Sequence, residues 1–193
     1  QPDTSRSPGP GPAAAPDVCA PAPHTFAPWR LEDIDFSAIE HARIVDNEPL
    51  FYLLVRASFV ESGSDLYTRN LVDHYADYPA IAAWLRDRWE PEELQHGRAF
   101  AAYVQAAWPG FPWQAGFDSF MADYGALCTT EALEADRVLE LAARCVVETG
   151  TTSYYQTLRA LGDEPVLRTL LGHIRADEVG HYKHFLAYFK QLR

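Results

Sequence analysis

Apolar and polar residues alternate at helical spacing through most of the chain, and the pattern predicts four long helices. They cover residues 49–75, 77–108, 129–162 and 163–193. Pro109 ends the second helix, Thr129 or Thr130 caps the third, and Pro165 lies in the first turn of the fourth. No strand pattern competes with the helical one, so the predicted fold class is all-α.

Shorter elements are predicted around the long helices. A short packing helix is expected over 31–46, and another over 117–127 inside the linker between the second and third long helices. So long a linker suits a four-helix bundle whose two halves are joined by a crossover. Pro91 cannot donate to the carbonyl of Asp87, so a kink or a helix restart is expected there.

The first 28 residues are rich in Pro, Ala, Gly and Ser, and they are predicted to be a disordered tail. They lack the basic and apolar regions of a secretory signal. Residues 29–193 are predicted to form one helical domain, which is long enough to bury a core. No run of about 18 apolar residues exists, so no membrane span is expected.

A short motif occurs twice. Val60-Glu61-Ser62-Gly63 is matched by Val147-Glu148-Thr149-Gly150 further along the chain. Each copy is followed by a Glu-x-x-His, which is Glu93 with His96 in the first half and Glu178 with His181 in the second. Two chance Glu-x-x-His pairs on exposed helix faces are the alternative, and the matching segments upstream disfavour it.

Residues three apart share one face of a helix, so each Glu-x-x-His can direct both side chains at one metal ion. Glu93 and His96 would hold one ion and Glu178 and His181 a second. The lone glutamates of the other two helices, Glu61 and Glu148, complete the ligand set of a di-iron or di-manganese centre in a four-helix bundle.

Electrostatics supports this interpretation. Val60 beside Glu61, and Val146 and Val147 beside Glu148, predict that both carboxylates face the core. A buried, unpaired carboxylate costs several kcal/mol. Two divalent cations would balance four carboxylates and leave the two imidazoles neutral.

Two further questions stay open at the sequence level. Tyr67 and Tyr154, each six residues after a lone glutamate, could bond the ligands or merely pack. Gly63 and Gly150 could leave room for dioxygen or an organic substrate, or allow close helix packing. A pocket lined by phenylalanines such as Phe59 would favour an organic substrate.

Charge and cysteine content narrow the function classes. The net charge of −11 argues against nucleic acid as a partner, because phosphate contacts need a basic face. Three widely spaced cysteines without a C-x-x-C disfavour a rubredoxin-type iron site and a zinc ribbon. A reducing cytoplasm is the expected compartment.

The motifs resemble those of one known family. Trp89-Glu90-Pro91-Glu92-Glu93-Leu94-Gln95-His96-Gly97 is similar to the W-x-x-E-E-x-x-H-G segment of the soluble acyl-carrier-protein desaturases, within the ferritin-like di-iron superfamily. Ala176-Asp177-Glu178-Val179-Gly180-His181 resembles their A-D-E-x-x-H segment. The resemblance implies that Thr151 lies at the oxygen-binding face and that Asp177 supports a ligand histidine.

What the resemblance implies is an oxidoreductase with two iron ions, or a manganese–iron pair, that activates dioxygen. It would desaturate or hydroxylate a small organic substrate or an acyl substrate. An external donor such as ferredoxin would supply electrons, and a homodimer is the family-like expectation. The rival hypotheses are ferritin-like or rubrerythrin-like iron oxidation or peroxide reduction, and a non-catalytic metal-binding bundle.

Overall fold

The computed structural model describes residues 16, 18–22 and 28–193, and this part of the chain contains α-helices and no strand, which confirms the all-α prediction. Most of the predicted tail lies outside the described residues. The described residues form seven α-helices, which are α1 (Glu48–Ser62), α2 (Ser64–His74), α3 (Pro79–Trp84), α4 (Glu90–Ala107), α5 (Trp113–Tyr124), α6 (Arg137–Leu161) and α7 (Pro165–Leu192).

The second predicted helix is α3 and α4, joined by one π-helical segment, Leu85–Trp89. There the N–H of Glu90 donates to the carbonyl of Leu85, five residues earlier. Pro91, the next residue, has no N–H for the carbonyl of Asp87. The distortion expected at this proline is therefore present as a π turn just before it, and π turns recur at functional sites.

Four sequence-based helix predictions are wrong. The first long helix, predicted over 49–75, is divided by a turn at Gly63 into α1 and α2. The helix expected over 31–46 is a series of 3₁₀ turns (Leu31–Asp33, Phe36–Ala38 and His41–Arg43). The third long helix starts at Arg137, because the carboxylate of Asp136 accepts the N–H groups of Val138 and Leu139 and so caps it. The short helix of the linker, α5, begins four residues before the predicted start.

The long helices pack as two pairs, α1 with α4 and α6 with α7. Contacts between α1 and α6, and between α4 and α7, join the pairs. The segment between α4 and α6 carries α5, which packs on α1. Each pair thus combines a helix that carries a lone motif glutamate with a helix that carries a Glu-x-x-His.

Two apolar clusters make up the core, and the motif residues lie between them along all four helices. On α7, Ile174 belongs to one cluster and Phe185 to the other, with Glu178 and His181 in between. In the same way, the motif residues lie between residues of the two clusters along the π segment and α4, along α1 and α2, and along α6. The sequence therefore places one polar layer across an apolar interior.

Gly97 determines how closely α1 and α4 approach beside this polar layer. A Cβ atom at this position would lie 2.6 Å from the backbone nitrogen of Ser62 and 2.7 Å from the carbonyl oxygen of Glu61. Both neighbours are backbone atoms, so only a shift of a whole helix could relieve the overlap.

We therefore expect Gly97→Ala to lower the free energy of unfolding by about 1–3 kcal/mol, as measured by urea denaturation. Gly150→Ala is the matched control, because a Cβ there meets nothing within 4 Å. This control should raise the free energy of unfolding by about 1 kcal/mol through helix propensity. Equal effects of the two substitutions would contradict the packing argument.

Candidate metal centre

Six side chains predicted as metal ligands converge at the middle of the molecule. They are Glu61 from α1, Glu93 and His96 from α4, Glu148 from α6, and Glu178 and His181 from α7. Each is at most 5 % exposed.

Their ligand atoms form two groups, within each of which all atoms lie within 4.8 Å of one another. One group is Glu61, Glu93, His96 and Glu178, and the other is Glu93, Glu148, Glu178 and His181. Glu93 and Glu178 belong to both groups. The arrangement could therefore hold two neighbouring cations, with two carboxylates shared between them.

Several of these atoms are buried without a hydrogen-bond partner in the described part of the chain. They are Glu61 Oε2, His96 Nδ1, Glu148 Oε2, Glu178 Oε1 and His181 Nδ1. Both nitrogens face other candidate ligands, since His96 Nδ1 lies 3.3 Å from Glu178 Oε1 and His181 Nδ1 lies 3.0 Å from Glu93 Oε1. Buried polar atoms are almost always satisfied by aligned hydrogen bonds, so this concentration needs an explanation. Carboxylate oxygens and imidazole nitrogens facing one another fit a pair of cations such as iron or manganese.

Outer carboxylates orient both imidazoles. Asp177 Oδ2 lies 3.1 Å from His96 Nε2, and Glu92 Oε2 lies 2.9 Å from His181 Nε2. A carboxylate can only accept, so each Nε2 carries the proton. When the ring is neutral, Nδ1 then presents its lone pair to the centre, as a metal ligand requires.

The outer carboxylates are themselves held. Trp29 Nε1 donates to Asp177 Oδ2 at 2.7 Å, and Arg88 Nε lies 2.8 Å from Glu92 Oε1. The sequence analysis missed Glu92, Arg88 and Trp29. Glu92 had a usable signal, because it precedes Glu93 just as Asp177 precedes Glu178. Trp29 had none, since its contact spans 148 positions.

Hydroxyl groups bond three of the ligand carboxylates. Thr151 Oγ1 donates to Glu178 Oε2 at 2.8 Å. This contact is compatible with the predicted position of Thr151 beside the centre. Tyr67 donates to Glu93 Oε2 at 3.3 Å, and Tyr155 donates to Glu61 Oε1. The sequence left the roles of two tyrosines undecided, and of these Tyr67 donates a hydrogen bond to a proposed metal ligand.

The other tyrosine, Tyr154, donates instead to the backbone carbonyl of Leu53. The neighbouring Tyr155 takes the ligand contact, because α6 turns that residue inward. The sequence analysis missed Tyr155.

Glu148 is buried as predicted, but its valine neighbours are not, and none of the three cavities described at the centre has a phenylalanine in its wall. Val146 and Val147 are 72 % and 45 % exposed, because Glu148 faces inward and helical rotation turns its neighbours out. Phe59 packs in an aromatic cluster with Phe111, Trp113, Phe117 and Phe120 on the α5 side and lines no cavity at the centre. The apolar cavities that do reach the centre have other walls.

Burial perturbs the titration of the centre. Burial, with repulsion from Glu93 and Glu178, raises the pKa of Glu61 well above its usual range. Burial and the Glu148 carboxylate raise the pKa of Glu178 to about 7. For His181, burial opposes protonation, but Glu148, Glu92 and Glu93 outweigh it and raise the imidazole pKa. Without metal, the centre therefore retains protons near neutral pH.

This titration predicts opposite pH dependences for metal-free and metal-bound protein. A group whose pKa is higher in the folded than in the unfolded chain stabilises the fold at pH values below its unfolded pKa. That contribution to stability is lost as the pH rises through the folded pKa. For Glu178 the loss falls between 4.5 and about 7. We expect the melting temperature of metal-free protein to fall across this window, while the increase caused by added Mn²⁺ grows because ligands must deprotonate. A metal-induced shift that is constant from pH 5 to 7.5 would contradict this.

Several cavities reach the centre. One of about 200 Å³ lies beside His181 and is lined by Trp29, Trp84 and Arg88 among others. Another of about 300 Å³ touches the four ligand carboxylates and extends to the segment after α5. A third of about 240 Å³ lies between α1 and α6 and includes Gly150. A Cβ at Gly150 would therefore extend into open space, whereas a Cβ at Gly63 would lie 3.0 Å from Met121 Sδ.

Comparisons with protein-family models, with curated proteins and with solved structures find no match for this chain. The likeness to the desaturases therefore rests on the motif residues. In residues 16, 18–22 and 28–193, no helix combines the length and the apolar character that crossing a bilayer demands.

Proposed function

We propose that this chain is a ferritin-like, di-iron oxidoreductase that uses dioxygen to oxidise a small organic substrate by desaturation or hydroxylation. The observation that carries the proposal is the apolar cavity of about 300 Å³ whose wall includes all four ligand carboxylates. A centre that only oxidised iron would not need an apolar chamber beside its ligands.

The six inward residues would hold the two ions, and they fit this role by donor type, by burial and by their unpartnered atoms. When bound, two iron ions would supply the electrons and the open coordination positions that dioxygen activation needs. A manganese–iron pair has the same ligand preferences.

The chain's own residues would set the conditions for this chemistry. Asp177 and Glu92 fix the imidazole rings, and Tyr155 and Thr151 fix two carboxylates through their hydroxyl protons. Thr151 also lines the 300 Å³ cavity, so its hydroxyl lies where a substrate would meet the ligands. The apolar clusters border the polar layer on either side, and the cavities are its openings.

The two helix pairs, each with one lone glutamate and one Glu-x-x-His, favour a ferritin-like four-helix bundle as the topology. We propose a cytoplasmic location, because three widely spaced cysteines suit a reducing compartment. Electrons would come from a separate protein such as a ferredoxin. A homodimer remains the family-based expectation.

Oxygen consumption by iron-loaded protein tests the function. We expect a chemical reductant to sustain oxygen uptake, and a productive organic substrate to accelerate it and appear as a desaturated or hydroxylated product. Thr151→Val should retain bound iron but lower the rate, whereas the exposed Thr169→Val should change neither. Uptake that stops once the added ferrous iron is oxidised, with no organic product, would indicate iron storage instead.

A further inference from the structure

The cavity on the carboxylate side has a second polar end. Arg144 lines it, and in the described part of the chain it is the one Lys or Arg that does so. Arg144 precedes Glu148 by four residues on α6, and Thr151 follows Glu148 by three, so the three side chains form one stripe along the cavity wall. A positive group thus lies one helical turn from the metal ligands.

Arg144 is fixed in place from one side. Its Nε lies 2.7 Å from Oε1 of Glu140, a carboxylate that is 1 % exposed, and Oε2 of Glu140 accepts the N–H of Glu134. The Arg144 side chain is 20 % exposed, against 39–58 % for the other arginines with ion pairs. The guanidinium is therefore held at the cavity instead of extending into water.

The contact with Glu140 is an ion pair at Nε and not an aligned hydrogen bond. Within the described residues, neither Nη atom of Arg144 makes a hydrogen bond. A guanidinium carries five N–H donors, and its outer pair matches the two oxygens of a carboxylate. Because Glu140 already cancels the net charge, Arg144 would select a ligand by the directions of its hydrogen bonds.

The remaining walls favour a short, apolar body. Val60, Leu127, Leu133 and Val147 are among the apolar residues of the cavity wall, and Leu127 and Val147 are themselves exposed. A volume of about 300 Å³ lies at the lower end of the range of small-molecule pockets, which favours a ligand of modest size. Asn70 donates to the carbonyl of Cys128 at 2.9 Å and so ties the outer wall to α2.

We infer that this cavity binds a short-chain monocarboxylic acid, with its carboxylate on the Nη atoms of Arg144 and its alkyl chain directed at the ligand carboxylates. The inference rests on the proposed function and specifies its substrate class. Since Arg144 lies one turn from Glu148, carbons within a few bonds of the carboxylate would meet the metal centre. A long acyl chain on a carrier protein would not fit.

Calorimetric titration of hexanoate into Mn²⁺-loaded protein tests the inference, and manganese per chain is measured on the same sample. We expect hexanoate to bind at least tenfold more tightly than 1-hexanol, and palmitate to bind no better than hexanoate. Arg144→Gln should weaken hexanoate binding at least tenfold and leave 1-hexanol unaffected. Arg168→Gln, at an exposed position, is the matched control and should change nothing.

Arg144→Gln alone leaves the buried carboxylate of Glu140 without its partner. The double variant Glu140→Gln/Arg144→Gln removes both charges, so it tests the loss of hexanoate binding without an unpaired carboxylate. Hexanoate binding that survives both variants would indicate an anion on the metals, and it would overturn the inference. Tighter binding of palmitate would also overturn it. Absence of hexanoate binding in protein that holds its manganese would overturn the inference alone, whereas absence of manganese would overturn the proposed function itself.

Discussion

Glu178→Gln is expected to reduce the metal content from about two ions per chain to nearly none. Glu178 belongs to both groups of ligand atoms, so its loss removes an oxygen from each cation site. Glu93→Gln should do the same. Glu61→Gln and Glu148→Gln each affect one group and should leave about one ion bound. Metal analysis after gel filtration distinguishes the two pairs of variants.

A stability measurement separates this loss from misfolding. Burial and Glu148 raise the pKa of Glu178 to about 7, so its ionised form is unfavourable in metal-free protein. Above pH 7 the neutral amide relieves that penalty, and metal-free Glu178→Gln should melt no lower than the unmodified chain. Lower metal content together with a lower metal-free melting temperature would indicate a structural role for Glu178 and contradict the account.

Asp177→Ala and Glu92→Ala are each expected to weaken metal binding about 10–100-fold, although neither side chain is a proposed ligand. Asp177 orients His96, and Glu92 orients His181. Each imidazole belongs to a different cation site, so each substitution should mainly affect one ion. Competition titration with a fluorescent chelator measures the two affinities.

The double variant is the sharper test, because the two cation sites share Glu93 and Glu178, and effects at sites with shared partners need not add. Asp177→Ala/Glu92→Ala should weaken both ions, whereas each single variant should mainly weaken one. Asp87→Ala is a suitable control, since its carboxylate is exposed and pairs only with Arg86 among the described residues. A change as large in Asp87→Ala would mean that net acidity, and not orientation of the imidazoles, governs the affinity.

The six proposed ligands could be read from the sequence because each half of the chain repeats both parts of the motif. The fixed spacing of Glu93 and His96, and of Glu178 and His181, gives a shared helix face whatever the rest of the fold does. The structure places all six together. The sequence did not show which glutamates are shared, because that depends on how the two helix pairs meet.

Other parts of the site were beyond the sequence pattern. Tyr155 and Tyr154 are adjacent, and only the rotation of α6 decides which hydroxyl reaches Glu61. Trp29 comes from a segment without a regular helix, so no periodicity pointed to it. Contacts of this kind depend on tertiary packing, which local spacing does not encode.

Helix boundaries followed local chemistry where that chemistry was strong. Pro165 and the capping carboxylate of Glu164 start α7 as predicted. The predicted start of α6 was wrong because Asp136, and neither threonine, caps this helix. Thr130 begins only a 3₁₀ turn. Apolar periodicity over 31–46 reflects Ile34, Ile39 and Ile44, each of which directly follows a 3₁₀ turn and is buried in the core.

The most direct test of the central claim is an anaerobic titration of the chain with ferrous iron, with bound iron counted after removal of the excess. The account predicts saturation at about two ions per chain, and at nearly none in Glu178→Gln. Saturation at one ion or none in the unmodified chain, or equal iron binding by Glu178→Gln, would contradict it.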